Sequence, residues 1–159
     1  KIDGAAHAHA GRARQGPVDW PELQWKTTQL LSNPSATGFG ARFLALHTEV
    51  ARAALHTPDA TLLTLILRSS DETRVYSATH VLLVASVCML VARDGLHWSA
   101  EQAARAGRVA LSMNISMTEL QDRLAQQSAP LSGGQIAQIQ NHAERSASML
   151  ASLAVSDSL

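Results

Sequence analysis

The residues able to do chemistry are few and far apart. Seven histidines, one cysteine and thirteen carboxylates are the candidates for acid–base, nucleophilic or metal chemistry. His7-Ala8-His9 has the spacing of a paired metal ligand on a β-strand, but Gly4, Ala5 and Ala6 ahead of it do not make a strand, so the pair reads as part of an arm. His80 falls in a long apolar stretch and His142 in a later helical one. Each has the chemistry of a divalent-metal ligand or of a histidine satisfied inside a core. His47 lies one step from an apolar helix face and reads as a boundary histidine. Ser132-Gly133-Gly134 could cradle a phosphate, but it lacks the lysine and the preceding strand of a P-loop, so a helix cap explains it better. Asp59, Asp71, Glu72, Glu101, Glu119, Asp122, Glu144 and Asp157 are spread over helix caps and faces, and their spacing makes no acid–base pair. Cys88 is alone, which excludes an internal disulfide and a cysteine zinc site, and its apolar surroundings predict a buried thiol.

The elements that must position these residues read as helices. Ala and Leu are abundant, aromatics make up 4%, and no stretch alternates with strand period. Asp19 and Pro21 open a first helix that Asn33-Pro34 ends, with Leu23, Leu30 and Leu31 on its apolar face and Trp20 and Trp25 expected to pack it down. After a small-residue linker from Ser35, a second helix runs from about Gly40 to His56. Phe39, Phe43, Leu46, Val50 and Ala54 share one of its faces. The third, Asp59 to Arg68, is apolar almost all round and is expected to be buried. The fourth, about Arg74 to Arg93, puts His80, Val84, Val87 and Val91 on one stripe, expected to face the core, with Tyr76 one turn earlier and Gly95 as a left-handed cap. Ser99 with Gln102, Ser116 with Glu119 and Ser132 with Gln135 each have the spacing of a capping box. They predict a fifth helix to Ser112, a sixth over Met117 to Ala125, and a seventh to about Ala154. Trp98 beside His97 is expected to lie over the core. The fold class predicted is all-α: residues 1–16 as an arm and 17–159 as one bundle of about seven helices.

Composition narrows the function classes. The chain has 159 residues, 46% hydrophobic and 16% charged, which suits a globular domain rather than a disordered one. Its formal net charge is zero, so nothing global draws it to nucleic acid or an anionic membrane. The apolar run Val81 to Ala92 is too short to span a bilayer, and no secretory signal is visible. A cytoplasmic setting is the expectation. The chain starts at Lys1 without an initiator Met, which suggests a fragment.

Several segments in order resemble the HD-domain metal-dependent phosphohydrolases, in particular the HD-GYP subfamily. Tyr76-Ser77-Ala78-Thr79-His80 is similar to the segment carrying that family's first histidine, and Val81 to Ala92 to the apolar helix after it. Leu111-Ser112-Met113-Asn114-Ile115-Ser116-Met117 falls where Leu-Leu-His-Asp-Ile-Gly-Lys would stand. Ala129-Pro130-Leu131-Ser132 resembles a Gly-x-Leu-Thr turn, and Gln140-Asn141-His142 resembles Lys-x-His. The resemblance implies a helical bundle with a vestigial site at His80, Met113, Asn114 and His142. The His-Asp pair has become Met113-Asn114: a neutral amide cannot replace a bridging carboxylate, and a thioether is a poor ligand for hard metals. Met117 stands where the resemblance would place a phosphate-contacting lysine.

Two functions follow from this resemblance. One is a catalytically degenerate HD-GYP-like domain, similar also to HDOD signalling domains, that serves a bacterial signalling or interaction pathway without a cofactor. Its expected partner is another protein or a second copy, and a cyclic dinucleotide is the small ligand to consider. The other is a phosphohydrolase of the cyclic-di-GMP phosphodiesterase type, completed by residues beyond Leu159. It would hold iron, manganese or magnesium, with His80 and His142 as the ligands this chain supplies. An unrelated helical bundle is the third alternative.

Overall fold

In the computed structural model, residues 18–71 and 73–157 are described. The arm with His7, His9, Arg12 and Arg14 lies outside them, as does Glu72. Among the described residues there are helices and no strands, so the chain is all-α. α1 (Trp20–Ser32) starts where the Asp19 carboxylate accepts the Glu22 N–H at 3.0 Å, with Pro21 in its first turn. α2 (Phe39–His56) follows Gly38, whose φ of 72° is a left-handed conformation that glycine adopts without steric cost. α3 is Pro58–Asp71, α4 Tyr76–Leu90, α5 Ala100–Ser112, α6 Thr118–Leu124, α7 Gly133–Gln140 and α8 His142–Asp157. The expected seventh helix is thus two, bent at Asn141.

α4 is the hub. It packs against α1, α2, α3, α5 and α6, most extensively against α5. Val81, Leu82, Ala85 and Met89 on α4 are 0–1% exposed and meet Leu23, Leu46, Val50, Leu65 and Leu111 in one apolar core. Small side chains on the inner face, Ala78, Ala85 and Ser86, let the neighbouring helices approach closely. A polar thread crosses this core: Gln24 Nε2 donates to Thr79 Oγ1 at 2.8 Å, and Arg68 Nη1 donates to Gln24 Oε1 at 3.1 Å, so α1, α3 and α4 are tied by one buried amide. A second tie comes from α6. The Asp122 carboxylate accepts the Ser77 N–H at 2.7 Å and the Ser77 hydroxyl at 3.0 Å, capping the first turn of α4 from another helix.

Several expectations are corrected. The stripe His80, Val84, Val87, Val91 does not face the core: Val87 is 40% exposed, Val91 51%, and His80 and Val84 are partly exposed. α4 is apolar on every side, so periodicity could not tell its faces apart, and which face is buried depends on where the other helices pack. α3 is not buried all round. Only Thr61 and Leu65 are buried, and Leu63, Ile66 and Leu67 are exposed. Trp25 and Trp98 are also exposed, and Cys88 is only partly buried. Gly95 does not end α4 as a left-handed cap. The helix passes into a π turn, Val91–Gly95, whose Val91 carbonyl accepts the Leu96 N–H, and His97 takes the positive φ, 53°. Tyr76–Gly95 is, by length and composition alone, long and apolar enough to cross a bilayer; half of it is buried among the other helices, as the central helix of a bundle would be.

Candidate functional site

His80 sits one turn into α4, on its outer stripe. Its ring stacks on Tyr76 with centroids 5.3 Å apart and planes 17° from parallel, and the Tyr76 hydroxyl lies 3.4 Å from Nδ1. Spacing of four on a helix brings the two rings together. Burial lowers the His80 pKa below the ordinary histidine value, which favours the neutral imidazole. The neighbour that engages the His80 ring is thus Tyr76 of the same helix.

Met113 and Asn114 form the joint between α5 and α6. Asn114 is buried, and its carbonyl accepts the Met117 N–H at 2.9 Å, starting a short 3-10 turn over Ile115–Met117. Met113 lines an apolar groove between α4 and α5 together with Val84, Cys88 and Trp98. The expected Ser116 capping box is absent, and α6 starts at Thr118 behind Met117, which offers no side-chain cap. Ser116 has another use. Its hydroxyl donates to the His142 carbonyl at 3.0 Å and accepts from the Ser146 hydroxyl at 3.0 Å, while its N–H donates to Ser146 Oγ at 3.3 Å. These bonds fasten α8 to the α5–α6 joint. The other two capping boxes, Ser99 with Gln102 and Ser132 with Gln135, are formed.

His142 opens α8, and its Nδ1 donates to the Ile139 carbonyl at 2.6 Å. A carbonyl can only accept, so Nδ1 carries a proton in this bond. The rings of His80 and His142 therefore have separate partners, one within α4 and one at the end of α7. Their neighbours do share a groove of about 480 Å³, lined by Tyr76, Met117, Gln121 and Ile139. Among the described residues, no group of three His, Cys, Asp or Glu side chains lies close enough to hold a metal ion. In chemical terms the arrangement offers two imidazoles, each with its own packing or hydrogen-bond partner.

His47 is the histidine that sequence reasoning undervalued. It is 5% exposed, and its Nε2 is buried without a hydrogen-bond partner. It abuts Gly107 of α5: a Cβ at Gly107 would lie 3.1 Å from His47 Nε2 and 2.6 Å from Met89 Sδ. Burial pushes the His47 pKa down, Arg108 pushes the same way, and the Ala104 backbone opposes them. The boundary position on α2 was legible; the closeness of α5, which turns a boundary into an interior, was not. Asp122 was also missed, because its role as a cap for α4 depends on a contact between residues far apart in sequence.

No protein family, curated protein or solved structure matches the chain.

Proposed function

We propose that this chain is a non-catalytic interaction module, a degenerate relative of the HD-GYP-like domains, that works by docking a partner on its helical surface. The observation that carries the reading is the outer face of α4. The stripe that begins at His80 continues as Val84, Val87 and Val91 and merges with Met113, Val109 and Trp98 across the groove to α5. An exposed apolar area of this kind marks an interaction surface. A dication site needs carboxylates to offset its charge, and thioether and amide side chains occupy the positions where the resemblance would place them.

Purified chain is expected to carry iron, manganese and magnesium far below one equivalent by elemental analysis. It is expected to leave cyclic-di-GMP and bis(p-nitrophenyl) phosphate unhydrolysed when Mn²⁺ or Fe²⁺ is added. Metal-stimulated turnover that disappears in His80→Ala would replace this reading with the phosphodiesterase one.

A further inference from the structure

His47 lies on α2 against α5, 5% exposed, with its Nε2 buried and without a hydrogen-bond partner. We infer that it is an acid-operated latch: when the imidazole takes up a proton, α5 swings away from α2 while the rest of the bundle stays folded. The latch lies inside the bundle, so it works whether or not a partner docks on α4.

Three observations set the latch. The first is hydrogen bonding. A neutral imidazole has one N–H and the charged ring has two. The Ala104 backbone of α5 favours the charged ring, but Nε2 has nothing to donate to. The second N–H of a charged ring is therefore unmet while α5 stays in place. The second observation is space. Gly107 of α5 faces Nε2, and even a methyl group there would stand 3.1 Å from Nε2 and 2.6 Å from Met89 Sδ. No water able to accept the N–H fits on that side. The third is charge. Burial weighs most against a charged ring, and Arg108, also on α5, adds to it. α1, α3, α4 and α8 pack on α2 as well. Among the described residues they bring no charged group to bear on the ring, and Glu49, the one carboxylate of α2, is held by Lys26 of α1 at 2.9 Å. Movement of α5 relieves all three at once, because water reaches Nε2 and Arg108 leaves. α5 can move because it packs most extensively on α4, which it need not leave. Such a swing also alters the groove that Val109 and Ala110 share with Val84 and Cys88 of α4.

The test is thiol labelling of the full chain, in a Cys88→Ser background, with a dipyridyl disulfide that reacts at acid as well as neutral pH. Ala103→Cys places the probe on the buried side of α5, at a position 3% exposed, and Ala78→Cys places it at the start of α4, at a position 0% exposed. Rates are taken relative to an unstructured cysteine peptide at the same pH. An open state in which His47 regains the ordinary value of about 6.5 rises up to about tenfold between about pH 7.5 and about pH 5.5. The Ala103→Cys thiol is therefore expected to label faster than the Ala78→Cys thiol, and by up to about tenfold more at the lower pH. The rise is expected to vanish in His47→Leu and to persist in His80→Ala. His47→Gln takes its place if His47→Leu does not fold by far-UV circular dichroism, and the comparison of the two positions needs neither variant. Equal rates at the two positions overturn the inference, since the chain then opens only as a whole. A rise that survives the loss of His47, or one that disappears in His80→Ala, overturns it as well.

Discussion

Gly107 offers the sharpest test of how the bundle is packed. In the middle of a helix, Gly→Ala ordinarily stabilises by about 1 kcal/mol, because alanine restricts the unfolded chain and suits the helix. Gly107 lies well inside α5, so propensity alone predicts a gain. Packing predicts the reverse. The added Cβ would stand 2.6 Å from Met89 Sδ and 2.7 Å from Met89 Cγ, against about 3.5–4.0 Å for comfortable contact. Met89 is flexible, but it is 0% exposed at the centre of the core and has nowhere to swing. Overpacking of this kind costs about 1–3 kcal/mol, which outweighs the helix gain and leaves a net loss of about 1 kcal/mol. For a chain of this size that is a fall in Tm of about 2–4 °C. Equilibrium urea unfolding followed by circular dichroism reads the sign. The companion measurement is the same substitution in a Met89→Ala background. Met89→Ala by itself costs about 2–5 kcal/mol through the cavity it opens, and there Gly107→Ala is expected to change sign and stabilise. Stabilisation in the wild-type background, or an equal cost in both backgrounds, would refute the claim that Met89 and Gly107 are fitted to each other.

Other consequences can be measured on the same protein. Asp122→Ala leaves the first turn of α4 without its cap from α6, and is expected to cost about 1–2 kcal/mol in urea unfolding while the exposed Glu119→Ala costs less than about 0.5. Stability is also expected to decline on acidification. Burial holds the folded-state pKa of His47 and His80 below the usual 6.5, so the unfolded chain takes up protons first as pH falls through that value. The contribution is complete above about pH 7 and is lost as pH falls toward the folded-state values. The urea midpoint should therefore drop between about pH 7.5 and about pH 5.5, with a shallower slope in His47→Leu; a midpoint that rises on acidification would contradict the assignment.

Much of the fold was legible because its signals are local. Asp19 and Pro21, Ser99 with Gln102, and Ser132 with Gln135 mark helix starts that depend only on residues within one turn. The α2 face was legible for a similar reason, since a helix with one apolar side has one way to turn. The errors fall where the local signal is degenerate. α3 and α4 carry apolar side chains all round, and which of them are buried depends on where other helices lie. The third capping box failed because Ser116 was engaged by His142 and Ser146, residues from a helix that a local pattern cannot see. The break at Asn141 was hidden as well, since nothing in Gln140-Asn141-His142 interrupts a helical pattern.

The direction in which α4 presents His80 bears more on function than the histidine itself. A neutral imidazole is equally suited to binding a metal and to packing, so its neighbours decide. Burial disfavours its charged form, and the Tyr76 ring covers one of its faces. Further along the stripe the side chains are Val84, Val87 and Val91, with Cys88 and Met113 beside them in the groove. A dication site requires negative charge nearby, since without it the cost of removing the ion from water is not offset. A docking surface requires the reverse: a carboxylate at its centre would have to be desolvated on association and would oppose it. A carboxylate placed at position 114 would have to be buried at the joint between α5 and α6, where Asn114 is 9% exposed, and its desolvation would cost stability.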